Sequence, residues 1–190
     1  MEQEKLIQAI KEGNAVAFEE LFNLYKDRVF NTALGYLQNK EDAEEIVQDV
    51  FVEVHRSIEK FKSESGIGTW IYRISVNKSL DRIRHRKRKK RFGFFTSLFD
   101  SETDELIHQP VEFNHPGVVA ESKEKAKYLF DAINSLPENQ KTAFILSEIE
   151  CLTQAEIGEV INKSAKAVES LIRRAKENLR LVLSDIYNEL

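Results

Sequence analysis

Hydrophobic residues recur along most of this chain with the period of an α-helix. Phe18, Leu21, Phe22, Tyr25, Val29, Phe30, Ala33, Leu34 and Leu37 follow an i, i+3, i+4, i+7 rule, which places them on one face of a long helix. Leu6, Ile7 and Ile10 predict a shorter helix before it, ended at Gly13-Asn14. After Gln38-Asn39-Lys40 the pattern resumes from about Glu41 to Lys60, with Ala43, Ile46, Val47, Val50, Phe51, Val54 and Ile58 facing inward. The composition of KSESGIG, Lys62 to Gly68, predicts a loop. Thr69 then opens a third helix through Trp70, Ile74, Leu80 and Ile83, with Trp70 on its apolar stripe as a core residue. No segment alternates with period two, so the expectation is an all-α protein.

The helical period lapses from Phe92 to Gly117, a stretch holding Gly93, Pro110, Pro116 and Gly117. It predicts a flexible linker between two helical domains, residues 1–91 and 118–190. Its aromatics Phe92, Phe94, Phe95 and Phe99 are unusual for a solvated segment and suit docking on a partner or on the first domain. In the second domain Ile133, Leu136, Ala143, Leu146 and Ile149 supply a core, and Pro137 opens the helix that carries Gln140 and Phe144.

The last forty residues carry the sharpest pattern. Thr153 and Glu156 have the spacing of a capping box, in which each side chain satisfies an orphan backbone N–H. The short helix they open buries Ile157, Val160 and Ile161. It stops at Asn162-Lys163, where Asn tolerates the left-handed conformation of a tight turn. Ser164 caps a second helix with Val168, Leu171, Ile172 and Ala175 on one face and Lys166, Glu169, Ser170 and Arg173 toward the other. A short helix, a tight turn and a longer polar-faced helix form the unit that reads a DNA major groove.

Charge sharpens this picture. The net charge of −4 argues against a protein that coats nucleic acid indiscriminately. That mean hides segregation. Lys78 to Arg91 contains nine Lys or Arg against one Asp, whereas Phe92 to Ser122 has six acidic residues and no Lys or Arg. Mutual repulsion in so dense a cationic run favours a polyanion beside it. On the third helix Arg73, Asn77, Asp81 and Arg84 share one polar stripe, flanked by Lys78 and Arg82. Groups that bond base edges, beside cations for phosphates, suit melted DNA. Ser63, Glu64 and Ser65 in the preceding loop are candidates for the wall of a pocket around an unstacked base. The acidic face of the second helix, Asp42, Glu45, Gln48, Asp49 and Glu53, reads as a protein-docking surface.

Enzyme chemistry finds little support. His55, His85, His108 and His115 have no second His at helical ligand spacing, so no metal site is expected. Glu44-Glu45 lacks the third acid of helical nucleotide pyrophosphatases, since Gln48 stands in its place. There is no Gly-rich phosphate loop, and no cofactor is expected. The lone Cys151 excludes an internal disulfide and reads as a partly buried structural thiol. No apolar run is long enough to insert in a membrane, and the N-terminus lacks a signal pattern, which predicts a cytoplasmic protein.

Three motifs in order, AE-x-x-VQ-x-VF, TW-I-Y-R-I-x-x-N-x-x-x-D-x-x-R and LPE-x-Q before the helix-turn-helix, resemble regions 2 and 4 of extracytoplasmic-function (ECF) RNA polymerase sigma factors. The resemblance implies a dissociable subunit of bacterial core RNA polymerase that reads −10 and −35 promoter elements and opens the DNA. Asp42, Glu45, Gln48, Asp49 and Phe51 would then dock on the polymerase β′ coiled coil, with region 4 on the β flap. Ser63, Arg73, Asn77, Lys78, Asp81, Arg82 and Arg84 would engage the −10 region. Lys163, Ser164, Lys166, Glu169, Ser170, Arg173, Arg174 and Lys176 would engage the −35 region. The linker would fill the RNA exit path, and an anti-sigma factor would be a further partner. Ala167 and Leu171 depart from the family, many members of which place Thr and Arg there. The alternative to this reading is a stand-alone helix-turn-helix regulator.

Overall fold

In a computed structural model of the chain, residues 2–63, 65–97 and 120–189 are described, with side chains for all of these except residues 2, 90–97, 120–126 and 185–189. Eight α-helices account for nearly all of them, and no strand occurs among the described residues. The protein is all-α.

The first unit is built from α1 (Glu2–Lys11), α2 (Ala15–Leu37), α3 (Lys40–Ser57) and α4 (Ile67–Ser97). Local chemistry sets its boundaries. The Asn14 side chain caps α2 by accepting from the amides of Val16 and Ala17 at 3.0 and 3.1 Å. Asn39 caps α3 by accepting from the Asp42 amide at 2.7 Å. Between the two, Gln38 takes the left-handed conformation that ends α2. A turn of 3₁₀-helix, Ile58–Lys60, follows α3. Helices α2, α3 and α4 pack on one another around Leu21, Val29, Val50, Val54, Ile67 and Ile71, all essentially inaccessible to water. Trp70 is half-buried against the Phe61 ring, with centroids 5.1 Å apart.

Helix α4 starts two residues before Thr69 and runs past Arg91 to Ser97. The segment predicted as linker from Phe92 is therefore helical over its first six residues. Lys and Arg are good helix formers, and the single Gly93 costs only about 1 kcal/mol. The rest of the predicted linker, with Phe99, the acidic cluster and both prolines, lies outside the described residues, as does Glu64.

The second unit comprises α5 (Ala120–Ser135), α6 (Glu138–Glu148), α7 (Gln154–Ile161) and α8 (Ala165–Glu189). Pro137 sits at the N-cap of α6, one position before the first helical residue. A small core of Ala132, Ile133, Leu136, Ala175 and Leu179 joins α5 to α8. The two units touch along one side. Helix α6 packs on α2 and α7 on α4, so one apolar cluster runs from Ile7 to Val168. Cys151 is exposed rather than partly buried. It takes a left-handed conformation in the α6–α7 connection, where the Leu152 amide turns back to the Leu146 carbonyl. That turn directs its thiol outward.

Candidate nucleic-acid interface

The helix-turn-helix is assembled by four local devices. Thr153 and Glu156 form the predicted capping box: the Glu156 amide donates to Thr153 Oγ1 and the Thr153 amide to Glu156 Oε2 at 2.8 Å. The Thr153 hydroxyl also donates to Glu156 Oε2 at 2.7 Å, and this bond, with that from the Thr153 amide, holds the Glu156 carboxyl below the usual carboxylate range. Asn162 closes α7 in the left-handed region with φ of 54°. Gly158 lets the turn pass close to α7, since a Cβ there would lie 2.5 Å from the Lys163 carbonyl oxygen. Ser164 Oγ accepts from the Ala167 amide at 3.3 Å and caps α8.

This frame leaves Lys163, Ser164, Lys166, Glu169, Arg173, Arg174 and Lys176 exposed and Ser170 half-exposed. Val168 and Ala175 are fully buried on the opposite face. Leu171 packs against the core, so the position where many relatives carry Arg serves packing in this chain. Two of the cations have internal partners: Arg173 bonds Glu177 at 2.8 Å and Lys176 pairs with Glu148 at 2.9 Å.

The stripe on α4 is exposed at Arg73, Asn77, Asp81 and Arg84. Lys78 is half-exposed and lies 3.6 Å from Glu53. Ser63, at the mouth of the loop, is exposed in a left-handed conformation. Two stripe residues reach across to the second unit. Arg73 donates to the Glu159 carbonyl of α7, and Arg84 bonds both Glu138 carboxylate oxygens at the start of α6 while pairing with Asp81 at 3.1 Å. Proximity of Glu138 is the largest influence raising the Arg84 pKa.

The acidic face of α3 is partly committed to α4. The Asp42 carboxylate, whose side chain is 12% exposed, is gripped by Arg82 and Arg86, and Arg82 also reaches Glu45. Gln48 and Asp49 are exposed. Phe51, expected on this docking face, lies instead in the core at 5% exposure, edge-on to Phe18 and Phe22. The apolar stripe of α3 claims it, and it supports the face from beneath. Val52 takes the surface position, 48% exposed. It stands seven residues after Glu45, four after Gln48 and three after Asp49, a spacing that marks it as part of the same patch. Among the described residues no cluster of His, Cys, Asp or Glu could hold a metal ion, and no helix is long and apolar enough to cross a membrane.

Sequence comparisons agree with this geometry. Residues 21–89 match the family Sigma-70 region 2 and residues 126–179 match Sigma-70, region 4. The chain is 31% identical to the ECF RNA polymerase sigma factor SigW of Bacillus subtilis, over 96% of this chain and 97% of that protein. It is 31% identical to the ECF RNA polymerase sigma-E factor of Haemophilus influenzae over 90% of each. In fold it resembles CnrH, solved in complex with the cytosolic domain of CnrY, with a TM-score of 0.69 at 21% identity over 96% of this chain and 97% of that one. It also resembles the sigma factor RpoE of Bartonella quintana, solved with the anti-sigma factor NepR, with a TM-score of 0.63 at 20% identity over 88% and 96% of the two chains. The chain belongs to the ECF RNA polymerase sigma factors of the sigma-70 family and directs transcription initiation.

Proposed function

We propose that the two polar helices divide the promoter between them. Helix α8 enters the major groove of the −35 element. Lys166, Glu169 and Ser170 face base edges, while Lys163, Ser164, Arg173, Arg174 and Lys176 meet phosphates. Glu169 suits a cytosine amino group, since a carboxylate can only accept. The α4 stripe of Arg73, Asn77, Asp81 and Arg84, with Lys78, Arg82 and the loop at Ser63, takes the melted −10 strand. The observation that carries this division is the contrast between the helices. One is held rigidly in a capped helix-turn-helix with its polar face in solvent, as duplex reading requires. The other joins that polar stripe to a dense cationic run from Arg82 to Arg91.

The α3 face, with Glu45, Gln48, Asp49 and Val52 outward and Asp42 beneath, is the surface for the β′ coiled coil of core polymerase, and the second unit meets the β flap. The chain acts by binding, not catalysis. Holding an unstacked base costs a few kcal/mol, offset by pocket and phosphate contacts. It works in the cytoplasm, where the polymerase is, and by likeness to the solved complexes an anti-sigma factor holds it in reserve. Transcription in vitro with sigma-free core polymerase over a pool of genomic promoters tests the assignment. Discrete start sites that depend on the protein and share two upstream elements support it. No stimulation by core from the matching organism would return the chain to the class of stand-alone regulators.

A further inference from the structure

Helix α1 supplies no residue to the proposed DNA or polymerase surfaces, yet it is built into the first unit. Its apolar face buries Ile7 and Ile10 in the main core. It packs on α2 and on the 3₁₀ turn Ile58–Lys60. Its last residue, Lys11, is half-buried, and its ammonium donates to the Phe61 carbonyl at 2.8 Å, 50 positions further along the chain. A surface lysine ordinarily keeps its ammonium in water; this one holds a backbone group.

Phe61 is where the chain leaves the 3₁₀ turn. Its amide donates to the Ile58 carbonyl at 3.0 Å, and its own backbone is extended. The bonded carbonyl therefore belongs to the first peptide plane of the loop that leads to α4. A hydrogen bond from a charged donor is roughly twice as strong as a neutral one, so it fixes the plane from which the loop departs. The Phe61 ring is buried and packs on the Trp70 ring of α4. At the far end the Trp70 amide donates to the Gly66 carbonyl at 3.2 Å. There α4 also presses on α2, since a Cβ at Gly68 would lie 3.0 Å from the Tyr25 hydroxyl. Both ends of the loop are thus held. Between them Ser63 is exposed with φ of 57°, a left-handed conformation that a residue with a Cβ keeps only where its surroundings impose it.

We propose that Lys11 is a positioning residue for promoter opening: by holding the Phe61 carbonyl it sets the conformation of the loop through Ser63, and so the base that the loop accepts from the melted −10 strand. Helix α1 then shapes base preference without touching DNA. A site discriminates between bases only if its wall is held to within about 0.5 Å of the productive geometry by groups that are themselves fixed. Lys11 is such a group, anchored on a helix whose apolar side lies in the core. Without its ammonium the Phe61 peptide plane is free to turn, and the left-handed backbone at Ser63 loses one of the restraints that impose it. The inference rests on the assignment of the Ser63 loop to the melted −10 strand.

The test is transcription by core polymerase with the full chain over two promoter libraries, one randomised in the −10 element and one in the −35 element. Lys11→Met keeps an aliphatic stem and removes the donor. It should change the ratio of the preferred base to its nearest competitor at a −10 position by roughly fivefold or more. Selection in the −35 library and affinity for core polymerase should stay as in wild type. Lys11→Arg, which keeps a charged donor, should hold the wild-type −10 preference. An unchanged −10 preference in Lys11→Met overturns the proposal. A shift in both libraries together also overturns it, since that marks a general loosening of the fold, and an Arg variant that shifts like the Met variant overturns the role of the donor. If Lys11→Met loses its helical circular dichroism, Lys11→Gln, with a neutral donor on a stem one bond shorter, takes its place with the same outcomes. Ser63→Ala in the −10 library separates this inference from the reading beneath it. A shift with Ser63→Ala and none with Lys11→Met overturns Lys11 alone, whereas no shift with either overturns the loop assignment as well.

Discussion

The Asp42 carboxylate accepts hydrogen bonds from Arg82 Nε and Nη2 at 3.2 and 2.8 Å, tying α3 to α4. The bond joins the helix proposed for polymerase docking to the helix proposed for strand opening. Asp42 is thereby a support of the docking face more than a contact on it. Because it is largely shielded from solvent, its removal leaves Arg82 and Arg86 facing a vacancy. Asp42→Ala should destabilise the first unit by about 1–3 kcal/mol, lowering its thermal midpoint along with transcription from every promoter. Asp49→Ala, on the exposed part of the face, should weaken core polymerase binding with an unchanged midpoint. Equal midpoints for the two variants would move Asp42 to the surface role.

The α8 assignments separate by specificity. Lys166→Ala or Glu169→Ala should change which −35 sequences are used, since a base-edge contact is worth about 1–3 kcal/mol of discrimination. Arg173→Ala or Arg174→Ala should weaken all promoters alike and reduce the salt dependence of binding by about one counterion. Selection from a randomised −35 library reads both effects. Unchanged preferences in the first pair would remove those side chains from the base edges.

Most of the helical plan was legible in the sequence because its signals are local. The Thr153–Glu156 box, Asn162 at the turn and the loop before α4 follow from residue type and spacing alone. What escaped depended on partners far along the chain. Tyr36 and Thr142 are 106 positions apart, and amphipathic periodicity says which face of a helix is buried but not against what. Phe51 is a different case: the helical period already turned it inward, only the resemblance put it on the docking face, and α2 brings Phe18 and Phe22 against it. Cys151 emerged because a left-handed turn, unmarked by Gly or Asn, reverses the chain there. Val52 was within reach, since its spacing from Asp49 places it on the face proposed for docking.

Asn77 is exposed midway along the α4 stripe, between the two arginines bonded to the second unit. Its amide can both donate to and accept from a base edge. Asn77→Ala should impair initiation from duplex promoters several-fold yet spare templates carrying a pre-melted −10 bubble. Permanganate footprinting of open complexes checks this directly. An equal loss on both templates would assign Asn77 to structure.

Gly158 fixes the angle of the helix-turn-helix. A methyl group there would press against the Lys163 backbone at 2.5 Å, and backbone cannot swing aside as a side chain can. Gly158→Ala should cost on the order of 1–3 kcal/mol and displace α8 from its seat on α7. The expected result is loss of −35-dependent transcription with binding to core polymerase retained through the first unit. A variant with wild-type −35 use would show that the turn can shift without moving α8.

Lys141 places an ammonium group at the join between the units, 5% exposed, over the Tyr36 ring and donating to Asn134 and the Tyr36 carbonyl. Burial pulls its pKa down to about 8, and Lys87 adds to the fall. The sign follows from linkage. Below pH 8 Lys141 is charged in both the folded and the unfolded chain, and its desolvation cost is felt in full. Between about 8 and the ordinary 10.5 the unfolded chain holds the additional proton, so the folded state gains stability as pH rises. Other groups titrate in this range, but they are shared with a Lys141→Met variant. The difference between the two unfolding free energies should therefore move in favour of wild type from pH 8 to 10, by roughly 1–3 kcal/mol. Chemical denaturation at a series of pH values measures it. Parallel curves would mean that the ammonium keeps its water when the chain folds, and that the packing of α6 on α2 is looser around Lys141 than its hydrogen bonds require.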